Sequence, residues 1–150
     1  MANAAPRPLR GLALVMILLL AAQFIVGMIV NFYTTIPATH PGTGGGNYLV
    51  RSVRSVSWAV RDGGLALQLH AVLGLALAVI GLALVVLAAR AQQGRWLVVT
   101  FIAAAAMIGA GFNGASFLDF GQDYSSLIMA IGLIVAMVAY TVGLYLTPPQ

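Results

Sequence analysis

His70 lies inside a long apolar run, and no other side chain in this sequence is so well placed for chemistry. An ionisable group within a membrane-length apolar segment is a functional hypothesis by default, because hydrocarbon offers it no partner. Three uses fit an imidazole in that place. The first is a hydrogen bond to Asn31, Asn113 or a carbonyl that holds helices together. The second is axial ligation of a haem iron, for which imidazole is the usual donor. Gly74, one helical turn on, would then leave a slot for the flat macrocycle. The third is a proton relay with Asp119 or Asp123, since imidazole titrates near neutral pH. The other histidine, His40, falls in a loop. As a further ligand at His70 it would have to move inward; otherwise that ligand would be Met28, Met107 or Met129, a second protomer, or none.

The remaining polar residues form the rest of a candidate ligand-binding set: Asn31, Asn113, Ser116, Asp119 and Asp123, with Gly74 beside His70, the candidate metal ligand. Asn31, Asn113 and Gln23 also suit interhelical hydrogen bonds. Asp123, before Tyr124-Ser125-Ser126, suits an N-cap. The same account does not extend to Asp119. The methionines are spread over several heights, which fits packing better than a copper site. Gly44-Gly45-Gly46 lacks the Lys-Ser/Thr of a phosphate loop.

Composition removes several function classes. There is no cysteine, so disulfides, thiolate catalysis and iron–sulfur clusters are excluded. Three aspartates are the only acids, which leaves little room for catalytic carboxylate pairs. The seven cations are all arginine and scattered at helix ends, unlike a nucleic-acid-binding face. Hydrolytic Ser–His–acid or metal-ligand spacings do not occur, so the residues lean away from an enzyme.

The elements that must position these side chains are membrane helices. Hydrophobic residues make up 61% and charged residues 7% of the chain, against soluble averages near 45–50% and about 25%. The pattern predicts an all-α fold: a four-helix transmembrane bundle forming one integral membrane domain over 1–150. The spans are expected at about 11–33, 64–89, 96–117 and 125–146, with an external loop over 34–63. Each exceeds the roughly 20 residues that a bilayer core requires. The first run continues past Gln23, too long for a cleaved signal peptide, and reads as an uncleaved helix. Arg7, Arg10, Arg90 and Arg95 predict a multi-pass protein of the cell membrane with both termini cytoplasmic. Arg51, Arg54 and Arg61 in the external loop oppose that orientation.

Within the loop, Leu49, Val53, Val56 and Val60 recur at helical spacing, apart from Arg51, Arg54, Ser55, Trp58 and Arg61. This predicts an amphipathic helix on the outer membrane surface, as a cap or a lid, with Trp58 at the headgroups. Four stripes should face one another: Gln23, Gly27 and Asn31; His70, Gly74, Ala78 and Gly81; Ala106, Ala110, Asn113 and Ser116; Ser125, Met129, Gly132, Ala136, Tyr140 and Gly143. Their polar members are expected at one height, as an outward pocket around His70 and Asn113. The expected partners are the lipid bilayer and a second copy or a larger membrane complex, with no nucleic acid.

Ala22-Gln23-Phe24-Ile25-Val26-Gly27 resembles the first helix of one four-helix half of haem A synthase, which often reads Gln-x-x-x-Gly. His70 is similar to the haem-ligating histidine of that half. The chain departs from the family in having no nearby acid in place of its Glu and no histidine on the last helix. The resemblance therefore implies haem or porphyrin binding and not the synthase activity. The chain also resembles small four-helix bacterial membrane proteins around Phe112-Asn113-Gly114-Ala115-Ser116-Phe117-Leu118, a likeness that implies a fold and no activity.

Overall fold

The computed structural model describes residues 7–146. Among them are five helices and no strand: α1 (Arg7–Tyr33), α2 (Tyr48–Asp62), α3 (Gly64–Arg90), α4 (Gly94–Phe120) and α5 (Asp123–Leu146). Four of these, α1, α3, α4 and α5, are long and apolar enough to cross a membrane. At 1.5 Å per residue they measure about 36–40 Å, more than the roughly 30 Å hydrocarbon core. Their ends therefore reach beyond the apolar zone. At its C-terminal end α4 extends past the expected bound, continuing to Phe120 instead of 117. It stops where Gly121 takes a left-handed φ of 63° and its N–H donates to the Phe117 carbonyl.

The long helices form a ring. α1 packs on α3 and α5, and α4 packs on the same two, so α1 and α4 stand diagonally opposite. Short links at 91–93 and 121–122 make successive helices antiparallel. Each helix buries one stripe. In α1 it is Leu9, Ala13, Met16, Leu20, Gln23 and Val30; in α3 it is Leu67, Leu77, Gly81, Leu84 and Ala88. Small residues bring backbones close. A Cβ on Gly132 would lie 2.8 Å from the Ala106 carbonyl oxygen and 3.0 Å from the Ala110 Cβ. The outer surface is apolar, with Leu18, Ile25, Val79, Phe101 and Val138 all exposed, the surface a lipid-facing bundle presents.

One stripe residue is misplaced in the sequence reading. Asn31 is exposed, and Val30 occupies the buried position. At 3.6 residues per turn, seven residues from Gln23 return to about the same face, and eight overshoot it by about 80°.

The segment before α3 folds on the end of the bundle formed by Tyr33, Gly64, Phe120 and Asp123. α2 begins at Asn47, whose side chain accepts from the Val50 N–H at 3.0 Å as an N-cap. It lies against α3 and α4. The face it buries is Ser52, Ser55 and Ala59, not the valine stripe. Leu49 and Val53 are 64% and 67% exposed. The small side chains admit close packing, and the branched ones are left on the flank.

Candidate functional site

The polar residues separate into distinct seams of the bundle instead of one pocket. The first joins α1 to α3. Gln23, buried in α1, donates through Nε2 to the His70 carbonyl at 3.1 Å, and the same nitrogen lies 3.5 Å from His70 Nε2. The imidazole packs on Gly27, where a Cβ would meet its Cε1 at 2.8 Å. The Gln23 amide fills the space beside Gly74, with Nε2 3.1 Å from the position of a Cβ. Two buried atoms here have no hydrogen-bond partner among the described residues: His70 Nδ1 and Gln23 Oε1. In this arrangement the Gln23 amide lies in the space beside Gly74 that a macrocycle would need.

The second seam straps α2 and its preceding loop to the end of α4, and it is built around Asp119. The Asp119 side chain is fully buried. Its Oδ1 accepts from Ser55 Oγ at 2.5 Å. Its Oδ2 makes no hydrogen bond among the described residues and faces the Arg51 Nε at 3.9 Å as an ion pair. Arg51 donates from Nε to the Gly42 carbonyl at 3.0 Å and from Nη2 to the Asp119 carbonyl at 3.4 Å. Its guanidinium carbon lies 4.6 Å from the Phe120 ring centroid.

Gly42 is required at the crossing of loop and helix. Its φ is +117°, and a Cβ there would collide with Ser55 Oγ and sit 2.9 Å from the Arg51 carbonyl oxygen. His40 extends the strap: its Nε2 donates to the Leu118 carbonyl at 3.0 Å, and its ring stacks on Trp58 at 4.4 Å. Tyr48 adds a hydroxyl 2.9 Å from both the Phe112 carbonyl and Ser116 Oγ.

Comparisons with known proteins add no constraint. No family model, curated protein or solved structure matches this chain. The reading therefore rests on the residues themselves.

The expected site residues end in different places. His70 and Gly74 belong to the α1–α3 seam, and Ser116 and Asp119 to the α2–α4 strap. Asn31 accepts from Ser126 Oγ at 3.0 Å and ties α1 to α5. Asn113 donates to the Gly109 carbonyl of its own helix at 2.9 Å. Asp123 is exposed in the first turn of α5, where its charge complements the helix dipole. The residues that sequence reasoning missed are Ser55, Arg51, His40, Tyr48 and Gly42. Two signals pointed that way: an Asp119 without an explanation, and three loop arginines that opposed the predicted orientation.

Two hollows accompany these seams. A groove of about 560 Å³ between α4 and α5 lies towards the Trp96 end, lined by Val98, Ile102, Ile134, Val138 and Val142. A cleft of about 220 Å³ lies on α2, between Pro41 and the side chains of Arg54, Ser57 and Arg61.

Proposed function

We propose that this protein is a non-catalytic accessory subunit of the cell membrane, working as a second copy pairs with it or within a larger membrane complex. Both termini lie in the cytoplasm, and α2 lies along the outer membrane surface. The observation that carries the reading is the Asp119–Ser55–Arg51 strap, in which chemically able side chains hold one structural element on another. The arginines at the start of α1 and around the α3–α4 link support the orientation. The exposed Leu49 and Val53 support an interfacial α2. Ala105 and Gly109 are exposed on α4, and a Cβ on Gly109 meets nothing within 4 Å, so a partner helix has room for close approach.

The test is purification in mild detergent of the wild type and of Ala105→Leu with Gly109→Leu. The expected result is loss of the associated copy or subunit with unchanged thermal stability. Identical association in both would remove the accessory reading. Cysteine placed at Gly45 should be labelled from outside intact cells, and labelling only after lysis would reverse the orientation.

A second reading places a small ligand, haem among them, at His70. The unpartnered Nδ1 of His70 and Oε1 of Gln23 favour it, since buried polar atoms ordinarily find partners. The haem form requires Gln23 to leave Gly74. Oxidised and dithionite-reduced spectra with added haem decide it: a Soret band lost in His70→Ala supports the site, and featureless spectra dismiss it.

A further inference from the structure

The three arginines of α2 opposed the expected orientation, and the strap accounts for only one of them. Arg51 is engaged by Asp119, Gly42 and Phe120. Arg54 and Arg61 are exposed, and neither forms an ion pair among the described residues. Both line the cleft on α2, with Ser57 between them and Pro41, Val53, Trp58 and Asp62 around them. We infer that this cleft binds the phosphate headgroup of an anionic phospholipid. The inference rests on the interfacial placement of α2 proposed above.

The spacing builds the site. Arg54, Ser57 and Arg61 are three and four residues apart, so they share one face and span about 10 Å. That face is turned away from Ser52, Ser55 and Ala59, which lie on the bundle. Between the two faces runs the exposed apolar flank of Leu49 and Val53. A cationic row bordered by an apolar strip is the pattern of a helix lying in a headgroup layer. Val53 lines the same cleft as the arginines, so acyl chains entering past it leave the phosphate beside the guanidinium groups.

The charges also match. Two guanidinium groups and the Asp62 carboxylate give the lining a net charge of +1, against one negative charge on a phosphodiester. Guanidinium forks suit phosphate oxygens better than ammonium groups do, and Ser57 adds a hydroxyl donor. Asp62 can accept from the hydroxyls of a phosphoglycerol headgroup. The wall is firm, because Trp58 is stacked on His40 and His40 is bonded to Leu118.

The experiment titrates the full-length protein in an uncharged detergent with phosphatidylglycerol and, separately, phosphatidylcholine, read by native mass spectrometry. Phosphatidylglycerol should bind in preference. At about 1 kcal/mol per surface arginine, Arg54→Gln or Arg61→Gln should weaken it about fivefold, and the pair about thirtyfold. Arg90→Gln with Arg95→Gln, at the other end of the bundle, should leave it unchanged. Equal binding of both lipids, or an unchanged affinity in Arg54→Gln/Arg61→Gln, would overturn the site. Displacement by millimolar inorganic phosphate would assign it to free phosphate and overturn the lipid. A nitroxide on Leu49→Cys in phosphatidylcholine vesicles reads the placement of α2 separately. A label at the membrane boundary without lipid preference sinks the headgroup site alone, and a label in bulk water sinks both.

Discussion

At the end of the bundle where α3 turns into α4, the buried residues are large: Trp96, Tyr140, Met16 and Leu84 are each at most 2% exposed. At the other end, where α4 turns into α5, they are Asp119, Ser55, Ser125 and Ala59, and an additional helix lies on them. The first end is held by large apolar side chains, and the second adds a buried Ser55–Asp119 hydrogen bond to a smaller apolar cluster of Val30, Ala59 and Leu67. Lipid gives helices little hydrophobic reason to associate, so both must substitute for that force. Shape complementarity closes a ring of helices that are already apolar. A buried carboxylate does something different: it favours one position for α2, because among the described residues its side-chain partners are Ser55 and Arg51 of that helix.

The largest expected effect breaks the shape-held end. Trp96→Ala should destabilise the protein by about 3–5 kcal/mol, read by thermal unfolding in detergent, because a fully buried aromatic leaves a cavity that helices refill poorly. Asp119→Leu should come next, at about 2–3 kcal/mol, since it leaves the buried Ser55 hydroxyl without its acceptor and Arg51 without its ion-pair partner. Its signature should be rapid proteolysis within residues 37–47 while the four long helices persist. If the long helices unfold together with α2, the two ends are one cooperative unit and the comparison fails.

Gly42→Ala tests the same strap from the loop side and should cost about 1–3 kcal/mol, from a strained positive φ and the collision with Ser55. Gln23→Leu should cost only about 0.6–1.7 kcal/mol, the range for hydrogen bonds between membrane helices. Asn31→Ala should fall within about 0.5 kcal/mol, because its bond to Ser126 is exposed. A Gln23→Leu effect as large as that of Asp119→Leu would move the weight of the polar contacts from the strap to the α1–α3 seam.

The candidate site was only partly legible. Gln23, Gly27, His70 and Gly74 were readable as facing residues, because three- and four-residue spacings in apolar runs define a face. That reading could not say that the Gln23 amide fills the space at Gly74, which depends on the axial offset of α1 against α3. Asn31 was misjudged because a stripe drawn at fours drifts around a 3.6-residue helix. The strap was out of reach for a different reason. Ser55 and Asp119 lie far apart in the chain, and their pairing exists only once α2 has docked.

By itself, the sequence determined the helices. Four apolar runs of sufficient length can satisfy their backbone groups in lipid only as helices. It also determined that a further helix lies in the segment between the first two apolar runs, from the repeat of Leu49, Val53, Val56 and Val60. Tertiary structure decided which face of that helix is covered. Periodicity places Leu49, Val53, Val56 and Val60 together as the apolar side of a surface helix. However, in a protein surrounded by lipid an apolar flank does not need protein cover, and a carboxylate does. The buried charge of Asp119 therefore turned Ser55 and Arg51 to the bundle and left Leu49, Val53, Arg54 and Arg61 facing outward.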